Sequence, residues 1–447
     1  MAEAARSPDG GASPWPPARQ AWWAVAVFAL GAILSYTDRQ ILSLLVDPIR
    51  GDLHISDTQV SLLQGLAFAL IYSVAGLPLG RLADILPRRW VILTGVLVWT
   101  AATVACGLSQ SFSALFAARV FVGVGEAALA PAAMSMIADL FAPHRRGTAI
   151  GVFIMGMVVG GGVALGIGGG LLEAARGGLF AGVPILSAVP PWRAVLLVLG
   201  APGLLIALLL LTVREPARRP GSGESAPRRY SLREVAHELV SRRAVVFPLL
   251  VAMALMSVGD FSLLNWTPAL LSRNYHLSPG QIGALLGALV VVTGVLGTVL
   301  GGALSDRRAK AGGPRARIAA AAVSATVALP LAFMAFTASA WQVLVLLGWW
   351  NLFSSAAGTI GITALQEAVP NEVRGIGVSL IAFGNIFFGL GLGTMSTALI
   401  TDRVFHDPLR VAASLSLVVG PAAAVATALF WRAAARADRG ALVGRRA

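Results

Sequence analysis

An all-α integral membrane protein of twelve transmembrane helices in two six-helix repeats is the fold this sequence predicts, and three observations predict it. The 447 residues are 57% hydrophobic and only 12% charged, with a mean hydropathy of +0.78. Soluble domains carry roughly 25% charged residues, so half the usual solvating surface is missing and a soluble multidomain enzyme is excluded. Apolar runs of about 20 residues, the length that crosses a hydrocarbon layer of ~30 Å at 1.5 Å per residue, recur along the chain. Polar residues of the first half reappear in the second at a constant spacing.

The elements follow in order. Residues 1–21 are polar and proline-rich, an N-terminal tail without the early apolar core of a cleavable signal, so the first apolar run is expected to be a true span. Spans are expected at 22–46, 58–83, 89–109, 112–138, 146–173 and 192–213, a first six-helix bundle over 22–213. A polar linker covers 214–243, and its residues 231–240 (SLREVAHELV) read as a short amphipathic surface helix. The second bundle covers 244–432, with spans at 244–272, 279–304, 316–338, 341–367, 372–400 and 409–432, and residues 433–447 form a C-terminal tail. The connection at 174–191 is longer than the others and apolar enough to dip into the membrane interface.

Charge sets the orientation. The net charge of +13 is carried by short loops and tails, including Arg81, Arg88, Arg89, Arg145, Arg146, Arg307, Arg308 and the linker, all on one side. The opposite loops are short or acidic, as at 47–57 and 402–407. Both termini are therefore expected in the cytoplasm of a cell inner membrane, and the basic balance marks topology rather than nucleic acid binding. Cys106, the single cysteine, lies in an apolar run, which removes disulfides and thiolate metal sites.

The halves repeat. Asp38 and Asp260, His54 and His276, Ser56 and Ser278, Gln59 and Gln281, Gly65 and Gly287, Gly80 and Gly302, Asp84 and Asp306 are each 222 positions apart. Arg146-Gly147 and Arg374-Gly375 are 228 apart. One offset running through polar residues of two helices and their loops is hard to reach by composition alone. Repeated halves mark secondary transporters, with the substrate site between the repeats near the midplane.

Gly80-Arg-Leu-Ala-Asp84, followed by Arg88-Arg89, closes the second helix, and Gly302-Ala-Leu-Ser-Asp306 closes the eighth. Glycine permits close helix approach, and the charges can cap helix ends or form a breakable cytoplasmic latch. An ordinary charged loop is the plainer reading; recurrence at the same offset favours a gate at Gly80, Asp84, Arg88, Arg89 and Asp306, supported by Arg146 and Arg374. These loops, with the fourth-helix run Arg119-Val-Phe-Val-Gly123-Val-Gly125-Glu126-Ala127, resemble the major facilitator superfamily along the whole chain. Thr37-Asp38-Arg39, Gly125-Glu126-Ala127 and Ala138-Asp139-Leu140-Phe141 resemble its spinster-like branch. The resemblance implies the major facilitator fold and transport of lysophospholipids or sphingosine phosphate.

The residues carry their own argument. Arg119, Gly123 and Glu126 share one helix face. Ionisable groups inside a span are costly, face the bundle interior or water, and usually pair. Counting rise places Asp38 and Arg39 roughly 24 Å along the first helix and Arg119 roughly 10 Å into the fourth, at about one level, with Glu126 about 10 Å deeper. Asp38 and Glu126 are then the proton carriers, and Arg39 and Arg119 the anion site, of a cavity on which all four converge. The alternative, buried ion pairs that only hold the half together, stays open here. Asp260 is either a second titratable site or a polar contact to Asn265, and both residues are expected at the substrate site. The aromatic and amide residues of the second half, Trp350 and Asn385 among them, offer a second wall, although core or lipid packing suits most of them as well.

In the fifth helix, Gly156, Gly160, Gly162, Gly166 and Gly170 have the spacing of tight helix contact. The Gly-Pro pair of the superfamily's exporters is absent there, so the resemblance implies no direction. Lys310, the only lysine, follows Ala309, so no phosphate-binding loop and no ATP drive is expected. Gly123-Val-Gly125 imitates part of a dinucleotide fingerprint but lies inside a span. Two further classes, a polytopic membrane enzyme lacking any visible nucleophile–base set and a non-transporting sensor, would be separated from a carrier by turnover in sealed vesicles. The expectation is a monomeric proton-coupled carrier, with no cofactor and no metal, of an amphiphilic anion in the bilayer. The runner-up is a proton-coupled carrier of a small organic anion or drug.

Overall fold

The computed structural model describes residues 15–218 and 232–437. Ser231, most of the linker ahead of it, and the outer parts of both tails lie outside the described residues. Membrane-length helices fill the chain: α1 (Ala18–Ser43), α2 (Asp57–Ile85), α3 (Arg88–Leu108), α4 (Phe112–Leu140), α5 (His144–Arg176) and α6 (Pro191–Thr212) form the first half. In the second half, α7 (Arg243–Tyr275) is followed by one helical stretch over Pro279–Phe336, 58 residues long and twice what a bilayer needs. Gly312 (φ −151°) and Gly313 (φ +67°) break it into α8 (279–311) and α9 (314–336). A positive φ is strained for a side chain and free for glycine, so this pair supplies the turn. With α10 (Ala340–Ala368), α11 (Val373–Phe405) and α12 (Pro408–Arg436), the described residues hold twelve spans, as expected.

Twelve spans return the chain to the end of the bundle at which α1 starts, here the terminal face; the other is the distal face. The acidic stretch expected as a distal loop after α1 is instead a short helix, Val46–Leu53. In the linker, Leu232–Ser241 is helical.

The repeat is structural as well as sequential. His54 and His276 both end a helix in the left-handed region, with φ of 51° and 53°. Ser56 with Gln59, and Ser278 with Gln281, then form capping boxes that open α2 and α8. Each box satisfies two backbone donors that a helix start leaves orphaned. Gly65 and Gly287, the next matched pair, sit where the halves touch. A methyl group at Gly65 would strike the Leu390 carbonyl of α11, and one at Gly287 would lie 2.8 Å from the Gly162 carbonyl of α5.

The glycines of α5 divide between two neighbours. Gly156 and Gly160 admit the backbone of α1 at Ala29 and Ile33, while Gly162, Gly166 and Gly169 face Gly283 and Gly287 of α8. Gly170, expected in the seam, meets nothing within 4 Å; Gly169 takes that place, because the seam follows the local crossing of α5 and α8 rather than a strict four-residue step.

Helix distortions shape the interior, two of them in the first half. Pro131 lacks the N–H that would bond the Ala127 carbonyl, and α4 breaks between Glu126 and Leu129. In α2, residues Leu62–Leu66 form a π-bulge. On the distal face the halves are clamped by Arg273 of α7, which donates to Asp47 at 2.7 Å and to both oxygens of Asp57 at 2.7 Å.

Candidate functional site

A cavity of about 230 Å³ lies between the halves, lined on one side by Tyr36, Arg39, Tyr72 and Glu126 and on the other by Phe261 and Asn385. Arg39 Nη2 donates to Glu126 Oε2 at 2.8 Å, and Ser35 Oγ donates to the same oxygen at 2.8 Å. Ser35 and Arg39 are four residues apart on one face of α1, so both point at the break in α4 that carries Glu126. The Arg39 guanidinium lies over three rings: Phe68 at 4.4 Å, Tyr36 at 4.8 Å and Tyr72 at 5.2 Å. Cation–π attraction of this kind strengthens once water is excluded.

Asp38 and Arg119 form a second layer outside this lining. Asp38 turns toward α3, where Thr103 Oγ1 donates to Oδ2 at 3.2 Å. Arg119 Nε donates to the Leu63 carbonyl of the α2 bulge at 3.3 Å, and Nη1 reaches the Asp38 carbonyl at 3.5 Å. The convergence of four groups on one cavity is thus corrected: two line it and two sit behind it. One helical step of 100° separates Asp38 from Arg39, and the long arginine side chain reaches the deeper level of Glu126, which Cα depth alone conceals.

The layers share one feature. Buried Asp38 Oδ1, Glu126 Oε1, Arg39 Nε and Arg119 Nη2 have no hydrogen-bond partner among the described residues. Such atoms are rare in folded proteins and mark places where a proton, water or ligand completes the set.

The second half supplies a lone carboxylate. Asp260 Oδ1 accepts from Trp350 Nε1 at 2.8 Å and Ser354 Oγ at 2.6 Å, tying α7 to α10. The contact to Asn265 does not form: its amide donates to the Phe261 carbonyl at 2.9 Å and to Thr394 Oγ1 at 3.2 Å. Asn265 is buried against α11, away from the cavity lining.

On the terminal face, the charges expected at a gate pair within their own halves. Buried Arg88 binds Asp139, Glu215 at 2.9 Å and the Pro216 carbonyl at 3.1 Å, fastening α3, α4 and the linker. Its counterpart in the second half is Arg317, which binds Glu367; Asp139 and Glu367 are 228 positions apart. Arg89 donates to the Val213 carbonyl at 3.1 Å. Arg146 and Arg374 each reach back eight residues to cap a helix end, at the Ala138 and Gln366 carbonyls, 2.8 and 2.7 Å away. Gly80 has only Pro131 at 4.0 Å, and Gly302 has nothing within 4 Å. The Asp84 carboxylate is exposed, its backbone carbonyl accepting from Arg218, and Asp306 stands 3.9 Å from Arg317. None of these side chains is paired across the halves among the described residues.

Residues 28–394 match the model of the Major Facilitator Superfamily. This chain belongs to that superfamily. The carrier is similar, at 30% identity and over 94% of both chains, to an MFS-type efflux pump of Mycolicibacterium smegmatis. It is 25% identical to Protein spinster of Drosophila melanogaster over 64% of this chain and 46% of that one. Among solved structures, a bacterial homolog of the human lysosomal transporter spinster, inward-facing and unoccupied, superposes with a TM-score of 0.82 at 25% identity, covering 94% of this carrier and 98% of that chain. The occupied form of that homolog gives 0.76 at 26% identity, covering 94% and 96%. This is a major facilitator transporter resembling the spinster branch, not an enzyme.

Four residues around the pair escaped the sequence reading: Ser35, Tyr36, Phe68 and Tyr72. A signal was present, since the chain has only four tyrosines and two of them cage Arg39. Ser35 was also legible as the residue one turn before Arg39.

Proposed function

We propose that this carrier moves an amphiphilic anion, a lysolipid or sphingoid-phosphate-like molecule, coupled to protons, by alternating access in a cell inner membrane with both termini cytoplasmic. The observation that carries the reading is the Arg39–Glu126 pair on the cavity wall, with one carboxylate oxygen unsatisfied. Protonation of Glu126 removes the partner of Arg39 and frees a planar guanidinium, the group best suited to a phosphate or carboxylate head. Deprotonation restores the pair and expels the anion. The cavity volume suits a head group, with the chain of the molecule lying along Phe261 and Ile386. Asp38 behind it is a second proton position, and Arg119, whose guanidinium donates to the Asp38 and Leu63 carbonyls, acts by holding α1 and the α2 bulge. Asp260 lies behind the opposite wall, where its bonds to Trp350 and Ser354 hold α7 against α10. Asp84 and Asp306 form the terminal-face latch when that face closes, with Gly80 at the approach and with Arg88, Arg89, Arg146 and Arg374 holding the helix ends that carry it.

A proton-coupled carrier of a small organic anion or drug is the second reading. It is favoured by the compact cavity and by the relative of matching length that is named an efflux pump. Purified carrier in proteoliposomes loaded with a pH-sensitive dye decides between them. Saturable proton movement on adding a lysophospholipid, absent with small organic anions, supports the first reading. Movement with small anions alone replaces it with the second, and movement with neither overturns proton coupling to an anion.

A further inference from the structure

Beside the Arg273 clamp on Asp47 and Asp57, two carboxylates on the distal face accept backbone N–H groups of the opposite half, and the repeat relates their donors. Glu173, in the last turn of α5, accepts the Gly280 N–H of α8 at 2.7 Å and Ser278 Oγ at 2.8 Å. Asp402, near the end of α11, accepts the Thr58 N–H of α2 at 2.6 Å and Thr58 Oγ1 at 2.7 Å. Thr58 and Gly280 are 222 positions apart, the offset of the whole repeat through this region. Each is the second residue of a helix opened by a capping box. The box satisfies the cap N–H and the third N–H, and leaves the second as an orphan donor. In both places a carboxylate from the opposite half meets that orphan at the positive end of the helix dipole.

Neither acid is held there by a cation. Among the described residues, no arginine or lysine forms an ion pair with Glu173 or Asp402, so the helix N-terminus is what positions each. The fit at Gly280 is close: a methyl group there would overlap Glu173 Oε2. Both contacts join α5 to α8 and α11 to α2, the two helix pairs that the glycines at 287 and 65 bring into backbone contact.

We propose that Glu173 and Asp402 are the paired clasps of the distal gate, and that both must release before the carrier opens on that face. The clasps belong to alternating access itself and hold whatever the cargo is. A carboxylate on a backbone N–H is a charge-assisted bond that water replaces only in part once the halves separate, so losing one raises the distal-open population without unfolding either half.

The test is the rate at which a small charged thiol reagent modifies a cysteine near the distal seam, buried at position 43 and half-buried at position 264, since the change in that rate between variants follows the open population. Ser43→Cys in the first half and Leu264→Cys in the second are introduced separately, after Cys106→Ala. Glu173→Ala and Asp402→Ala are each expected to raise the rate about tenfold, the scale of one charge-assisted hydrogen bond. The double variant is expected to raise it by roughly the product, because the sites are separate. Glu173→Gln, which keeps an acceptor without the charge, is the variant to use if alanine impairs folding, and a smaller rise is expected. Gly280→Ala leaves the carboxylate in the chain but displaces it, and should act like Glu173→Ala. Asp52→Ala is the control: Asp52 binds Arg193 and Trp192 within the first half, and its loss should leave both rates unchanged. Unaltered rates in the double variant at both positions, or an equal rise in Asp52→Ala, would overturn the proposal.

Discussion

Arg39 Nη2 lies 2.8 Å from Glu126 Oε2, an ion pair that joins α1 to the break in α4 and faces the space between the halves. A buried pair of this kind adds little net stability, because taking both ions out of water costs about what their attraction returns. Its value lies in being breakable by a single proton.

Glu126→Gln should abolish transport driven by a pH gradient while leaving a folded, helical carrier, because an amide cannot exchange the proton. Asp38→Asn is expected to do the same through the second layer. Proton movement in proteoliposomes checks both, and wild-type coupling in either variant removes that residue from the proton path.

Arg39→Lys should lower affinity for the anionic substrate at least tenfold, since an ammonium keeps the charge but loses the planar fork and much of the stacking on Phe68, Tyr36 and Tyr72. Binding measured by thermal shift at constant pH is the check. An unchanged affinity would leave Arg39 as the counter-ion of Glu126 and nothing more.

Arg119→Lys is expected to behave differently. Arg119 bonds two backbone carbonyls and lies outside the cavity lining, so the cost should appear as about 1–3 kcal/mol of stability, with substrate affinity changed only a few-fold. A large affinity loss at unchanged melting temperature would return Arg119 to the substrate site.

Arg88→Ala should be the most damaging change on the terminal face, on the order of 3 kcal/mol, because it removes the buried guanidinium that joins Asp139 of α4 and Glu215 of the linker to the start of α3. Arg317→Ala should cost less, since Glu367 is more exposed and can rehydrate. Melting temperatures in detergent give the order, and a reversed order contradicts it.

Asp84→Asn and the Asp84/Asp306 double substitution should enlarge the fraction open at the terminal face, read as faster labelling of cysteines placed on that side of the cavity. Each pair near the surface is worth about 0–1 kcal/mol, so the bias should be partial. Unchanged labelling in the double variant means that these acids do not latch the halves.

The repeat was readable from spacing alone because the loops that carry it are local devices. His54-x-Ser56-x-x-Gln59 and His276-x-Ser278-x-x-Gln281 each fix a left-handed cap and a capping box within a few residues, and no distant partner is needed. The site was legible in its ionised members, since charge inside an apolar run stands out. The aromatic cage of Arg39 was not, because Phe and Tyr in a span are equally at home against lipid, and only the packing of α2 on α1 brings Phe68 and Tyr72 over one guanidinium.

What the sequence by itself determined is whatever hydrophobicity and near-neighbour geometry dictate: twelve spans, two related halves, a basic face, and carboxylates and arginines inside the first half. What only the tertiary structure decided is which of these groups meet. Depth counted along isolated helices put Arg39 level with Arg119, but the break before Pro131 and the reach of the arginine side chain pair it with Glu126 instead. The same holds at the helix ends, where Arg146 and Arg374 cap their own neighbours and Glu173 and Asp402 reach across the halves. Position along a chain fixes a side chain's height and face, whereas its partner is fixed by the angle at which a second helix crosses.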